Sequence, residues 1–197
     1  MQHFALQTAL YIRKDVKSMS STDIRKLVRL SKQGSTNAFG ELYEIYSKDM
    51  YNFAYYYLGD THRAQDAVGD AVCAAFSSIR TLKKDSAFRS WLFTILLRSC
   101  QKQLKYIIEQ RSISDIEEHT EISSGDNDFR ITVELKEALL QLSEEERQIV
   151  LLSVVCSYKS GEIGEMLSIP SGTVRSKLSR ATDKLCRIMS EEGSKVK

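Results

Sequence analysis

The sequence predicts an all-α protein: two small helical domains joined by a flexible acidic linker, the C-terminal one containing a helix-turn-helix. Three observations predict it. Apolar residues recur at helical spacing along most of the chain, and no extended alternation demands a sheet. The periodicity lapses across residues 109–130, where the composition turns polar and acidic. One proline and nine glycines in 197 residues argue against a loop-rich or all-β protein.

Residues 1–21 form an N-terminal extension, a candidate for disorder, lacking the long apolar core of a signal peptide. Met19 begins a second plausible start, with residues 1–18 read as a leader or a gene-start artefact. A helical domain then covers 22–108. Ile24, Leu27, Val28 and Leu30 mark a short first helix ending near Gly34. A second helix begins near Thr36 and carries Phe39, Leu42, Tyr43, Tyr46, Met50, Phe53, Ala54 and Tyr57 on one stripe. Gly59-Asp60 ends it, and Thr61 can cap a third helix whose stripe runs from Ala64 through Val68, Ala71 and Ala75 to Phe76 and Ile79. The polar break Thr81–Ser86 precedes a fourth helix, expected from Ser86, with Phe88, Trp91, Leu92, Ile95 and Leu96 inward. Trp91 is in register with that stripe and is expected in the core.

Beyond the linker, a second domain spans 131–190, followed by a tail at 191–197. Leu135, Leu139 and Leu142 close its first helix. Ser143 with Glu146 three residues later is a capping box for the next, whose apolar face is Ile149, Leu152 and Val155. The helix-turn-helix follows. Ile163, Met166 and Leu167 share one face, Ser168-Ile169-Pro170 breaks the helix, and Ser171 or Thr173 offers a cap oxygen to the next one. Val174, Leu178, Ala181 and Leu185 form its inner stripe. Arg175, Lys177, Arg180, Lys184 and Arg187 stand off that stripe beside a single acid, Asp183. Two short helices with the second one cationic is the geometry that places a recognition helix in a major groove.

Charge is distributed unevenly under a net value of only +2. Residues 171–187 hold five basic residues against one acid, and residues 106–134 hold eight acids against two basic residues. Cys73, Cys100, Cys156 and Cys186 form no CxxC pair and have no histidine at zinc-ligand spacing, so they read as reduced cytosolic thiols. Nothing in the sequence is long and apolar enough to insert in a membrane. No P-loop, HExxH or nucleophile–base constellation occurs, and His3, His62 and His119 are scattered, so no catalytic residue, metal or cofactor is expected.

Three stretches together resemble a bacterial RNA polymerase sigma factor of the sigma-70 family, closest to its extracytoplasmic-function (ECF) subgroup. The first runs from Ala38 to Tyr43, with Tyr46 following. The second runs from His62 through Asp66 to Asp70 and Phe76, and on through Phe88–Ile95. The third joins Leu142–Arg147 to the helix-turn-helix. The resemblance implies a cytoplasmic transcription initiation factor whose partners are core RNA polymerase, promoter DNA and a cognate anti-sigma factor. It implies that Asp66 and Asp70, one helical turn apart, dock on the β′ clamp helices. Gly69 stands there where the family usually has Gln. It implies that the loop and fourth helix open and read the −10 element, with Lys83, Lys84 and Arg89 on phosphates. Arg98 and Lys102 occupy positions where the family often has Asn and Asp, and with Lys105 they form a basic strip suited to upstream backbone. It implies −35 recognition by Ser171, Thr173, Arg175, Ser176, Lys177 and Arg180, with the second domain on the β flap and the acidic linker along the path of template and nascent RNA. The alternative from the residues alone is a stand-alone helix-turn-helix regulator that binds operator DNA as a dimer.

Overall fold

The computed structural model describes residues 20–111 and 127–194, without the side chains of 110–133 and 191–194. Among the described residues every regular element is helical. Helix α1 is Ser21–Lys32, α2 is Thr36–Leu58, α3 is Thr61–Ser78 and α4 is Phe88–Arg111. Helix α5 is Asn127–Leu140, α6 is Glu144–Val154, α7 is Ser160–Leu167 and α8 is Ser171–Ser194. No helix among them is long and apolar enough to cross a membrane.

Local chemistry sets the boundaries. Ser20 and Ser35 cap α1 and α2, accepting from the amides of Asp23 and Ala38, both at 3.2 Å. Gly59, at φ 75°, ends α2 in the left-handed region that glycine adopts without steric cost. Asp60, not Thr61, caps α3, its carboxylate accepting from the Arg63 amide at 2.8 Å. Both residues suit a cap, and the one directly after the αL glycine occupies the position. The fourth helix begins two residues later than expected, because the 3₁₀ turn Asp85–Ala87 takes up its start. The capping box at α6 is present: Ser143 accepts from the Glu146 amide at 3.4 Å and donates its own amide to Glu146 at 3.0 Å. Its two hydrogen bonds from Ser143 hold the Glu146 carboxyl below the usual carboxylate range.

Helices α1–α4 enclose a core of Val28, Leu42, Met50, Phe53, Phe93 and Leu96, all fully buried or nearly so. Leu30 faces solvent at 38% exposure while Ser31 is buried, its hydroxyl donating to the Leu27 carbonyl at 2.8 Å. Tyr43 also lies outside the core, at 38% exposure, and Phe76 is 41% exposed with its ring edge-on to Phe39 at 5.1 Å. Trp91 is half-buried at the core margin, 5.9 Å from the Phe88 ring. Helices α5–α8 pack around Ile149, Leu152, Ile163, Val174 and Ala181.

The two helical units close on each other, and their buried residues form one continuous cluster. The Arg147 guanidinium of α6 donates to the Tyr57 carbonyl of α2 at 2.7 Å. The Tyr57 hydroxyl donates to Glu144 at 2.7 Å and accepts from Gln148 at 3.0 Å. Helix α4 continues to Arg111 and α5 starts at Asn127, so helical backbone enters both ends of the stretch read as linker. Residues 112–126, where the role of an acidic segment along the nucleic-acid path was expected, lie outside the described residues, as does the extension 1–19.

Candidate nucleic-acid and polymerase interfaces

Helix α8 buries Val174, Ala181 and Leu185 at the three- and four-residue spacing that gives a single inward stripe. Its opposite side is open: Ser171, Arg175, Ser176 and Arg180 are exposed, and Thr173 is half-buried. Ser171 is the first residue of the helix rather than its cap, and the Pro170 carbonyl before it accepts from the Val174 amide at 3.1 Å. Ser176 and Arg180 donate within the helix, to the carbonyls of Thr173 at 3.0 Å and Ser176 at 3.3 Å. The Arg180 bond uses Nε, and the side chain is exposed.

The angle between α7 and α8 comes from a tight elbow. Ser168 takes a left-handed conformation at φ 57°, and the Ile169 amide returns to the Gly164 carbonyl at 3.0 Å. A Cβ on Gly164 would stand 2.6 Å from the Ile169 carbonyl oxygen. Sequence reasoning passed over Gly164, although a glycine inside a helix is itself a signal.

Lys177 is set apart from the other expected groove residues. It is half-buried and ion-paired with Glu145 of α6 at 2.5 Å. Lys184 donates to the Gln141 carbonyl at 3.0 Å. These two basic residues tie α8 to the start of α6 and to the turn before it. Ser179, outside the expected set, is also exposed, one turn after Arg175 and Ser176.

In the first domain, buried Leu82 anchors the loop 81–87 and leaves Lys83 and Lys84 exposed. Asp85 ties the loop to α1, accepting from Lys32 at 2.6 Å and Arg29 at 3.0 Å. These cations hold its carboxyl below the usual carboxylate range, Lys32 more than Arg29. Arg89 does not lie beside Lys83 and Lys84 on an open face. It points to the second domain, donating to the Cys156 carbonyl, with its guanidinium 4.6 Å from the Tyr158 ring centroid and 3.7 Å from Asp49. Arg98 is exposed and lines a cleft of about 270 Å³ between α4 and the second domain, opposite Glu145, Gln148 and Ile169. Lys102 reaches Asp70 at 3.5 Å, and Lys105 lies 3.8 Å from Glu109 one turn on. Asp66 and Asp70 are both exposed on α3. Gly69 between them has open space where a side chain would go.

All four cysteines are free. Burial pushes the Cys100 thiol up to about 12 and Cys156 well above its ordinary value, which makes both poor nucleophiles. Among the described residues no cluster of His, Cys, Asp and Glu could hold a metal ion.

An exposed acidic face on one helical domain and a basic, groove-sized helix on the other define a two-domain helical DNA-binding protein. Comparison with known proteins agrees. A family model described as Sigma-70 region 2 matches residues 42–106, and one described as Sigma-70, region 4 matches residues 132–185; together they cover more than half of the chain. The ECF RNA polymerase sigma factor SigW of Bacillus subtilis is 26% identical over 176 residues, spanning 82% of this chain and 94% of that relative. The RNA polymerase sigma factor SigV of the same organism is 29% identical over 145 residues, spanning 73% of this chain and 85% of that protein. Among solved structures, CnrH in complex with the cytosolic domain of CnrY superposes with a TM-score of 0.70 at 19% identity, over 86% of this chain and 98% of that one. The sigma factor RpoE from Bartonella quintana, in complex with the anti-sigma factor NepR, gives 0.68 at 22% identity, over 77% and 96%. The chain belongs to the sigma-70 family of RNA polymerase sigma factors, in its ECF group.

Proposed function

We propose that this chain is a dissociable ECF-type sigma factor that binds core RNA polymerase, directs it to promoters through −35 and −10 recognition, and helps melt the −10 region. The observation that carries this reading is the order of the two family matches in one short chain, region 2 before region 4. Each match coincides with an exposed charged face of matching chemistry. The chain supplies promoter choice and no catalytic step of its own, and it works in the cytoplasm with the polymerase.

In this reading Ser171, Arg175, Ser176 and Arg180 face the −35 groove, where an Arg can pair bidentately with guanine O6 and N7. Lys177 positions the helix through Glu145. Lys83 and Lys84 hold phosphates near the −10 element, with Lys102 and Lys105 on upstream backbone. Asp66 and Asp70 offer the acidic surface for the β′ clamp helices, with the second domain on the β flap. The CnrH and RpoE structures each hold a second protein, CnrY and the anti-sigma factor NepR; a cognate anti-sigma factor for this chain is the corresponding proposal.

The test adds the purified protein to core RNA polymerase and measures run-off transcription from a candidate promoter. Transcripts should require both components. Arg175→Ala and Arg180→Ala should each weaken binding to the −35 duplex, by about 1–3 kcal/mol where the contact is to a base. Unchanged binding by both variants would remove the recognition-helix assignment. Failure to bind core, with tight binding of the protein alone to a palindromic duplex, would favour the dimeric operator-binding regulator instead.

A further inference from the structure

We infer that Glu145 is a positioning residue for the DNA-binding helix: by holding Lys177 in an ion pair, it keeps that lysine off the phosphate backbone and lowers binding that does not depend on sequence. This role rests on the −35 reading proposed for α8; the ion pair itself rests on geometry alone.

The pair joins two helices. The Lys177 ammonium lies 2.5 Å from the Glu145 carboxylate. Glu145 stands in the first turn of α6, where a helix N-terminus favours negative charge. Its two acidic neighbours have other work. Glu144 accepts from the Tyr57 hydroxyl at 2.7 Å and from Gln148 at 3.0 Å. Glu146 closes the capping box with Ser143. The Glu146 carboxyl, held low first by the Ser143 bonds, is lowered further by Lys184 and Arg180 of α8. The acidic start of α6 thus runs along one edge of the basic helix, and Glu145 is the acid there that takes a lysine.

Lys177 is placed where a phosphate would compete for it. It stands four residues after Thr173 and three before Arg180, on the same flank of α8 as both. Its long apolar stem lets the ammonium swing outward while the stem stays packed. A lysine is a point charge, and phosphate contacts carry no sequence information. A free Lys177 would therefore strengthen binding to every duplex alike and dilute the discrimination proposed for Arg175 and Arg180. With Glu145 present, a phosphate that takes Lys177 must break the pair and leave a carboxylate beside the backbone. The fold does not need the pair. Helices α6 and α8 pack through buried Ile149, Leu152, Val174 and Ala181, while the side chains of Lys177 and Glu145 are 28% and 45% exposed.

The test measures binding of the full chain to two short fluorescent duplexes of unrelated sequence, between about 50 and 200 mM salt. Glu145→Gln should bind both about two- to fivefold more tightly at the low end, the size of effect an exposed ion pair carries. Its slope of log affinity against log salt should steepen by about 0.9, the increment for one more phosphate. Glu145→Asp keeps the charge and should restore most of the wild-type behaviour. In a Lys177→Gln background, Glu145→Gln should give no gain, because the two residues act as one unit. A disturbed fold would weaken binding, so the sign of the change separates positioning from a structural role. Unchanged or weaker binding by Glu145→Gln overturns the role. So does an equal gain in the Lys177→Gln background, which would mean that Glu145 simply repels DNA, and so does a gain confined to one duplex. Absence of duplex binding by the wild type and every variant overturns the recognition-helix reading proposed above, and this role with it.

Discussion

Gly164 lies inside α7 yet is required by a contact outside it, the 2.6 Å approach that a Cβ would make to the Ile169 carbonyl oxygen. A backbone oxygen cannot rotate away as a side-chain tip can. Gly164→Ala should therefore destabilise the second domain by about 1–3 kcal/mol, the range for inserting a group into packed structure. Gly69 in α3 has nothing within 4 Å of the same position, so Gly69→Ala should stabilise by up to about 1 kcal/mol through helix propensity. Thermal unfolding of both variants separates the two cases, and a Gly164→Ala melting temperature at or above the wild type would refute the elbow argument. Lys177 shows the same dependence on distant neighbours. Its place among basic residues suggested groove contact, but the Glu145 partner comes from 32 residues away in sequence.

At the scale of elements, Asp85 joins α1 to the loop before α4. Its carboxyl is depressed below the ordinary 3.8 by Lys32 first and Arg29 second. A depressed folded value means that the stabilisation is fully present above the unfolded value and is lost as pH falls through the folded one. Between pH 7 and about pH 5 the loop should hold; below about pH 4 its contact with α1 should weaken progressively. An NMR titration should show α1 amides near Lys32 following a low Asp85 midpoint, with the response absent in Asp85→Asn. An ordinary midpoint, or α1 amides that ignore it, would refute the tie. The elements themselves were largely readable because their signals are local. The Ser143–Glu146 box, the glycine after α2 and the Val174–Leu185 stripe each depend on residues within a turn or two. The cap chosen between Asp60 and Thr61, and the 3₁₀ turn ahead of α4, depend on how the chain enters from its neighbours. The closure of the domains was not readable at all. Arg147 reads as one charge early in an amphipathic helix, and its Tyr57 partner is 90 residues distant.

At the scale of the whole molecule, two kinds of contact should respond differently to salt. The domains are joined by buried hydrogen bonds from Arg147 and Gln148, and by the Phe93–Tyr158 ring contact. Ions screen such contacts little. The outer side of α8 instead carries exposed Arg175 and Arg180, whose proposed grip on a duplex would work by releasing counterions. If both lie on phosphates, the slope of log affinity against log salt is about −1.8, roughly a tenfold loss between about 50 and 200 mM. Energy transfer between dyes on Cys73 and Cys186 should stay nearly flat over that range, while binding to a short fluorescent duplex of arbitrary sequence falls steeply. Parallel loss of both signals would mean that closure is itself electrostatic, and that salt alone opens the chain. A flat transfer signal beside falling duplex affinity would show that buried hydrogen bonds and ring packing, not surface charge, hold the domains together. The modest net charge of +2 fits that division, since it leaves the chain little electrostatic grip on a polyanion beyond the outer side of α8.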